Sequence, residues 1–207
     1  MVVSVLVNDR GNMRYLLWIV IVVPGILLGL SAGEEPSISL AGSEPTLNLT
    51  KEQRLAIRGY NADFQVRRQA EYLPSVVKQY PISNHQLPYA VIGDFNGDGK
   101  LDVVLQGYDK TSEILLAVLS SSRGPGVVEI SRSKLVDPQT EWYGVGDRNE
   151  YGLWIYLTFV SRGKVDSPFA NQPLSLSTDA FQLNYFEKAS VLYYWNGQQF
   201  KKYIVSD

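Results

Sequence analysis

The chain has 207 residues, contains no cysteine and carries a formal net charge of −2 at pH 7. The near-neutral charge gives no electrostatic footprint for nucleic acid, so nucleic-acid binding is not predicted. The absence of cysteine excludes disulfide bonds, thiol catalysis and an anchor on a lipidated cysteine. With 45% hydrophobic and 19% charged residues, the composition is typical of a folded protein rather than of a disordered chain.

The first 33 residues have the pattern of a targeting segment. An apolar stretch from Leu16 to Leu30 follows the basic Arg14 and ends at small residues. This pattern predicts a signal peptide that is cleaved after Gly33 or after Ala32, and Met13 is an alternative start for it.

The same stretch allows a second interpretation, a retained membrane anchor. Residues 15–32 are long enough to span a bilayer, which takes roughly 17 to 25 residues. With cleavage, the protein is secreted, periplasmic or on the cell surface. Without it, a single-pass anchor is the only part in the membrane and holds the domain outside the cytoplasm.

The composition of the remaining chain predicts a tether followed by one domain. Residues 34–49 are rich in Ser, Pro, Gly and Glu without periodicity, which indicates a flexible linker. Residues 50–207 are predicted to form a single β-rich domain.

Two short helices are predicted at the start of this domain. Thr50 is a good N-terminal cap, and the first helix is expected to end at Gly59 and to bury Leu55, Ala56 and Ile57. The second is expected to begin at Pro74 and to end before Pro81, with its inward side formed by Val76, Val77 and Tyr80.

The nine residues 94–102, of sequence DFNGDGKLD, predict a calcium site. Calcium takes 6 to 8 oxygen ligands, and a loop supplies them from alternate positions. Side-chain oxygens stand at positions 1, 3, 5 and 9, in Asp94, Asn96, Asp98 and Asp102. The Lys100 ammonium cannot ligate a cation, so position 7 would contribute its backbone carbonyl. Magnesium is disfavoured, because its strict octahedral shell suits such loops poorly.

The residues around this loop predict strands rather than helices. Residues 89–92 and 101–105 are rich in β-branched side chains and too short for helices. An EF-hand would also need Glu at position 12 of the loop, where this chain has Leu105. The alternative is a plain hairpin, since Asn-Gly and Asp-Gly pairs are both strong turn signals.

At residues 93–104 the sequence resembles the calcium loop of FG-GAP and VCBS-type repeats, the integrin-like repeats of extracellular and bacterial surface proteins. The resemblance covers only about residues 89–107. It implies that the loop bridges two strands of a propeller blade and that calcium is bound by Asp94, Asn96, Asp98, the Lys100 carbonyl and Asp102. The loop occurs once in the chain, whereas a propeller needs at least four blades, so a closed multi-blade propeller is not expected.

The rest of the chain predicts strands and turns. The strongest hairpin signal is Asn196-Gly197 between two aromatic and β-branched runs, and residues 181–186 are expected to form the strand before it. The predicted fold is therefore α+β and β-dominated, with a largely antiparallel sheet or meander after a short N-terminal helical segment.

No catalytic motif is found in the sequence. The single histidine, His85, lies in a polar turn, and the chain lacks a nucleophile elbow, a zinc motif and a phosphate loop. Aromatic residues at 142–143, 154 and 193–195 could line a carbohydrate or peptide groove, although neighbouring strand residues point to opposite faces.

The leading functional prediction is an exported, non-catalytic calcium-binding protein of the FG-GAP/VCBS type. Such a protein would bind or adhere to a protein or a glycan at the cell envelope, with calcium stabilising the strand-loop-strand. The alternative is an exported hydrolase, with glycans as a candidate substrate, that uses unpatterned carboxylates. A third interpretation is a structural or inhibitory envelope protein without a small-molecule ligand.

Overall fold

Antiparallel strands are the main secondary structure of the protein. Its computed structural model describes residues 34–41, 44–145, 148–169 and 172–206. The strands are β1 (Ser37–Ser39), β2 (Thr46–Asn48), β3 (Gln65–Val66), β4 (Gln86–Leu87), β5 (Ala90–Gly93), β6 (Asp102–Tyr108), β7 (Ser112–Leu119), β8 (Gly126–Lys134), β9 (Trp142–Val145), β10 (Arg148–Tyr151), β11 (Ile155–Val160), β12 (Gly163–Val165), β13 (Leu174–Leu176), β14 (Ala180–Tyr185), β15 (Ser190–Trp195) and β16 (Phe200–Ser206). The helices are α1 (Lys51–Tyr60), α2 (Pro74–Gln79) and a 3₁₀ turn (Gln69–Glu71). Strands hold 47% of the described residues and helices 12%, which confirms the predicted β-dominated α+β fold.

Two sheets organise these strands. The first has the order β4-β5-β6-β7-β8, with β3 paired to the end of β6, and the second has the order β11-β14-β15-β16. Three further hairpins, β1-β2, β9-β10 and β12-β13, stand outside these sheets. The described residues form no closed barrel or propeller, in agreement with the prediction.

The alternation of side chains along the first sheet places apolar residues on both of its faces. Val103 and Leu105 of β6 pack in one cluster with Ile57 of α1 and Val76 of α2. Val104, between them in sequence, packs in a second cluster with residues of the second sheet, including Leu157, Phe181 and Leu183. The first sheet therefore lies between the helices and the second sheet.

Helix α1 begins as predicted and ends one residue later than predicted. Thr50 Oγ1 accepts a hydrogen bond from Gln53 N, and Gln53 Oε1 accepts one from Thr50 N, both at 3.1 Å. This capping box satisfies two donors that a helix start would otherwise leave free. Ile57 is buried, but the prediction that Leu55 is buried is wrong, because Gln53 occupies the inward position and Leu55 is 58% exposed.

Loss of the capping box is expected to weaken this helix measurably. Thr50→Ala should lower the free energy of unfolding by about 1 kcal/mol, because the mutant removes the side-chain acceptor of Gln53 N. Urea denaturation checks the value, with the exposed Lys51→Ala as the matched control. Equal midpoints for the two variants would show that the cap contributes nothing.

Helix α2 agrees with the sequence prediction. It begins at Pro74, ends at Gln79, and buries Val76 and the following Tyr80, with Val77 half-buried. Proline suits this first position because its missing N–H would have no partner there.

Residues 34–49 do not form the predicted flexible linker, because they contain two paired strands. β1 and β2 pair in antiparallel register, with Ile38 opposite Leu47. Ile38 is buried in the same cluster as Ile57, and Leu47 and Leu49 pack against that cluster. Alternate apolar residues within a Ser- and Pro-rich stretch are enough to attach it to the core, whereas its composition alone resembles that of a tether.

The C-terminal strands match the prediction closely. Residues 196–199 connect β15 and β16, two more than the predicted Asn196-Gly197 pair, and Gly197 has φ +95°, a conformation that suits glycine. β11 begins at Ile155, three residues after Gly152, which has φ +141° and where an added Cβ would lie 2.7 Å from backbone atoms of Tyr72 and Leu73.

The structure describes no helix that is long and apolar enough to cross a membrane. The predicted signal peptide or anchor, residues 1–33, lies outside the described residues.

Candidate metal site

The predicted calcium loop connects β5 to β6. Gly93 and Asp102 face each other where the two strands begin to pair, so the intervening residues project beyond the sheet. Gly97 and Gly99 have φ near +80°, which other residues rarely adopt. The glycines therefore allow the chain to turn tightly, so that the side chains at positions 1, 3 and 5 accept hydrogen bonds from N–H groups further along the loop.

Side chains at these three positions hold the loop backbone. Asp94 Oδ1 accepts a hydrogen bond from Gly97 N at 2.8 Å, and Oδ2 accepts one from Gly99 N at 3.1 Å. Asn96 Oδ1 accepts from Asp98 N at 2.9 Å, and Asp98 Oδ1 accepts from Lys100 N at 3.0 Å. Each of these oxygens has a second lone-pair direction for another partner.

Asp102 differs from the other predicted ligands because it is fully buried. Its Oδ2 accepts hydrogen bonds from Phe95 N at 2.9 Å and Asn96 N at 3.2 Å, and its Oδ1 accepts one from Ser120 N at 2.7 Å. A carboxylate has about four acceptor sites, so roughly one is left for a cation. Burial raises the pKa of Asp102 to about 7, although the three backbone hydrogen bonds oppose the shift.

The loop is anchored to the second sheet by residues that the sequence did not single out. Phe95 is fully buried between the sheets and packs edge-on against Phe181, with ring centroids 6.0 Å apart. Asp179 Oδ2 accepts a hydrogen bond from Asp94 N at 3.0 Å, and Asp179 N donates one to Asp94 O at 3.1 Å. Gly97 leaves room for Thr178, whose methyl group would lie 2.8 Å from an added Cβ.

The donor chemistry of the loop fits calcium. All the predicted ligand atoms are oxygens, and the Lys100 carbonyl accepts no hydrogen bond from any described residue. In the observed arrangement, no three Asp, Glu, His or Cys side chains of the described residues form a group that could hold a metal ion. The carboxylates of Asp94 and Asp102 are turned toward backbone N–H groups.

The other residues considered from sequence occupy structural positions. His85 stacks on Phe159 with ring centroids 4.9 Å apart. Tyr193 packs between the two sheets, whereas Tyr194 packs on the opposite face of the second sheet. The predicted aromatic residues therefore do not form one continuous platform.

A second candidate site is a cavity of about 370 Å³ between the two sheets. It includes Glu113, which pairs with Tyr108 six residues along β6 from Asp102, or roughly 20 Å along the strand. The cavity therefore lies at the opposite end of the first sheet from the loop. It contains two acids, Glu113 and Glu141, but both oxygens of Glu113 accept hydrogen bonds from the Arg67 guanidinium. That engagement argues against Glu113 as a catalytic acid.

Comparisons with known proteins give no relative from which a function could be transferred. No protein-family model matches the chain, and neither the curated proteins nor the solved structures include a match. The FG-GAP/VCBS resemblance therefore depends on the residues of the loop alone.

Proposed function

We propose that residues 94–102 bind calcium and that the protein is an exported, non-catalytic binding or adhesion module of the FG-GAP/VCBS type. The observation that carries the proposal is the organisation of the loop backbone by Asp94, Asn96 and Asp98, at alternate positions around two left-handed glycines. This is the arrangement that presents several oxygens to one ion from a short segment.

Each ligand has a distinct part in this proposal. Asp94, Asn96 and Asp98 contribute side-chain oxygens, and Lys100 contributes its carbonyl while its ammonium stays in solvent. Asp102 contributes its remaining acceptor site and fixes the loop to Ser120. Bound calcium neutralises the carboxylates and clamps β5 to β6.

The proposed role of the ion is stabilisation of a domain without disulfides. If the loop binds calcium with a Kd of about 10 μM and free calcium is about 1 mM, binding adds about 2.7 kcal/mol to the free energy of unfolding. That is a large part of the roughly 5–15 kcal/mol total that is usual for a domain. Export to a calcium-rich compartment, by the N-terminal segment as signal or anchor, gives this linkage its physiological setting.

Thermal unfolding of the full chain in 1 mM calcium and in a chelator tests the proposal. We expect calcium to raise the wild-type melting temperature by several degrees, since about 2.7 kcal/mol is available. Asp98→Ala removes one exposed ligand and should abolish most of this increase. Magnesium at the same concentration should have little effect, because it fits such loops poorly.

The control is a substitution in the same loop that leaves the ligand oxygens in place. Lys100→Ala keeps the backbone carbonyl and removes only an exposed ammonium, so its calcium-induced shift should equal or exceed that of the wild type. Identical melting curves with calcium and with chelator for the wild type would refute the proposal. Titration calorimetry with calcium alone then gives the affinity directly.

A further inference from the structure

The cavity between the sheets has the size and the wall chemistry of a small-molecule site. Its volume of about 370 Å³ is within the range of ligand pockets, about 300–1,000 Å³. Apolar side chains of both sheets form part of its wall, including Leu115 and Leu183. Exposed residues, among them Ser131 and Lys202, form the side that is open to solvent.

Two tyrosines in this wall lack hydrogen-bond partners for their hydroxyls. Only 4% of the Tyr193 surface is exposed, and its hydroxyl makes no hydrogen bond with a described residue. The half-buried Tyr185 hydroxyl also has no such partner in the described part of the chain. Burial raises the pKa of both residues, so both hydroxyls are protonated donors at neutral pH. Neither hydroxyl oxygen is fully buried, so each reaches the solvent of the cavity and is free to donate a hydrogen bond to a ligand there.

The charges around the cavity balance. Arg67 and Glu113 are paired with each other inside the wall. Glu141 supplies a carboxylate, of which Oε1 accepts a hydrogen bond from Trp154 Nε1 at 3.1 Å and Oε2 accepts none from the described residues. Lys202 supplies an ammonium that makes no ion pair with a described residue. The wall therefore favours a neutral ligand that can both donate and accept hydrogen bonds.

The aromatic side chains of the cavity wall favour a ligand that has an apolar ring face. Trp154 and Tyr185 both line the cavity, with ring centroids 5.7 Å apart at an interplanar angle of 57°. Sugars combine an apolar C–H face with hydroxyls that donate and accept, and their C–H faces pack well on aromatic rings.

We infer that this cavity binds a neutral saccharide, as a mono- or disaccharide unit of a glycan. Tyr143 stacks on the Trp154 ring and the Lys188 ammonium lies 4.7 Å from its centroid, so the sugar face packs on Tyr185. The sugar hydroxyls accept from Tyr193 and donate to Glu141. The inference rests on the binding role proposed above and specifies its ligand, but it does not depend on the calcium loop at the other end of the sheet.

Ligand-observed saturation-transfer NMR on the full chain in 1 mM calcium tests the inference. The probes are glucose, galactose, mannose, N-acetylglucosamine, maltose and lactose, with glucuronate and glucosamine as charged counterparts. At least one neutral probe should bind, and more tightly than either charged one. Tyr193→Phe, which removes only the hydroxyl, should weaken the binding roughly 2- to 12-fold, the loss of one hydrogen bond.

The matched control is Tyr194→Phe, which makes the same change on the opposite face of β15 and should bind like the wild type. Leu183→Phe enlarges a side chain of the wall and should abolish binding. The inference is overturned if no neutral probe binds, if a charged probe binds more tightly, or if Tyr193→Phe and Tyr194→Phe bind equally.

The same samples separate this inference from the calcium proposal. The calcium-induced melting shift should be unchanged in Tyr193→Phe, and saccharide binding should persist in Asp98→Ala below its melting temperature. Loss of calcium stabilisation with intact saccharide binding refutes only the calcium proposal. Intact calcium stabilisation without saccharide binding refutes only the cavity inference.

Discussion

Replacement of Arg67 with alanine is expected to lower the free energy of unfolding by about 3–5 kcal/mol. The Arg67 side chain is only 3% exposed and donates hydrogen bonds to Glu71, Glu113 and the Val136 carbonyl. Its guanidinium carbon also lies 4.1 Å from the centroid of the Tyr108 ring. Alanine would leave two carboxylates without their cation in a partly buried position, which costs more than the pair itself contributes.

The neighbouring Arg68 provides the matched control. Its side chain is 80% exposed and its Nε is 3.9 Å from the same Glu71, so Arg68→Ala should change stability by less than about 1 kcal/mol. Urea denaturation of both variants in saturating calcium measures the difference. Arg67→Lys should lie between them, because lysine keeps the charge but cannot replace the planar guanidinium. Equal midpoints for Arg67→Ala and Arg68→Ala would contradict the assigned role.

Local sequence signals were sufficient for most of the secondary structure. Val103, Val104 and Leu105 are all apolar, and such a run predicts a strand with both faces buried, as β6 has. Asn196-Gly197 located the last hairpin because Gly197 adopts a positive φ, +95°, in the turn at residues 196–199. Thr50 located the start of α1 for the equally local reason that its oxygen caps a helix N-terminus.

Such local signals do not predict contacts between residues that are distant in sequence. Arg67 and Glu113 are 46 residues apart, and nothing near either residue indicates that they pair. Ile38, Leu47 and Leu49 are apolar residues in an otherwise polar stretch, and the cluster they pack against is built by residues farther along the chain. The composition of residues 34–49 therefore led to the wrong prediction of a linker.

The candidate site shows the same division. The spacing of Asp94, Asn96 and Asp98 indicated the loop, because ligands and turn are encoded within a few residues. Asp179 lies 85 residues from Asp94, so its attachment to the loop had no local signal. The cavity needs both sheets in place before Tyr193 and Glu141 line one wall, and no sequence pattern describes that arrangement.

Replacement of Asp102 with asparagine is expected to destabilise the protein by about 2–4 kcal/mol even without calcium. Asparagine has nearly the same volume, but its amide group has only one oxygen. If that oxygen accepts from Ser120 N, the amide nitrogen faces the N–H groups of Phe95 and Asn96, which then lose their acceptor in a buried position. This loss arises from the fold and is separate from the loss of a calcium ligand.

This independence from calcium separates Asp102 from the exposed ligands of the same loop. Asp98→Asn is the same chemical change at an exposed position, and in chelator it should cost less than about 0.5 kcal/mol. Urea denaturation in chelator at pH 8, above the pKa of about 7 for Asp102, compares the two variants. A large loss for Asp102→Asn in the presence of chelator would show that Asp102 holds the loop to Ser120, the residue after β7, without calcium. If the loss appeared only in calcium, Asp102 would act solely as a ligand, like Asp98, and its three backbone hydrogen bonds would contribute little.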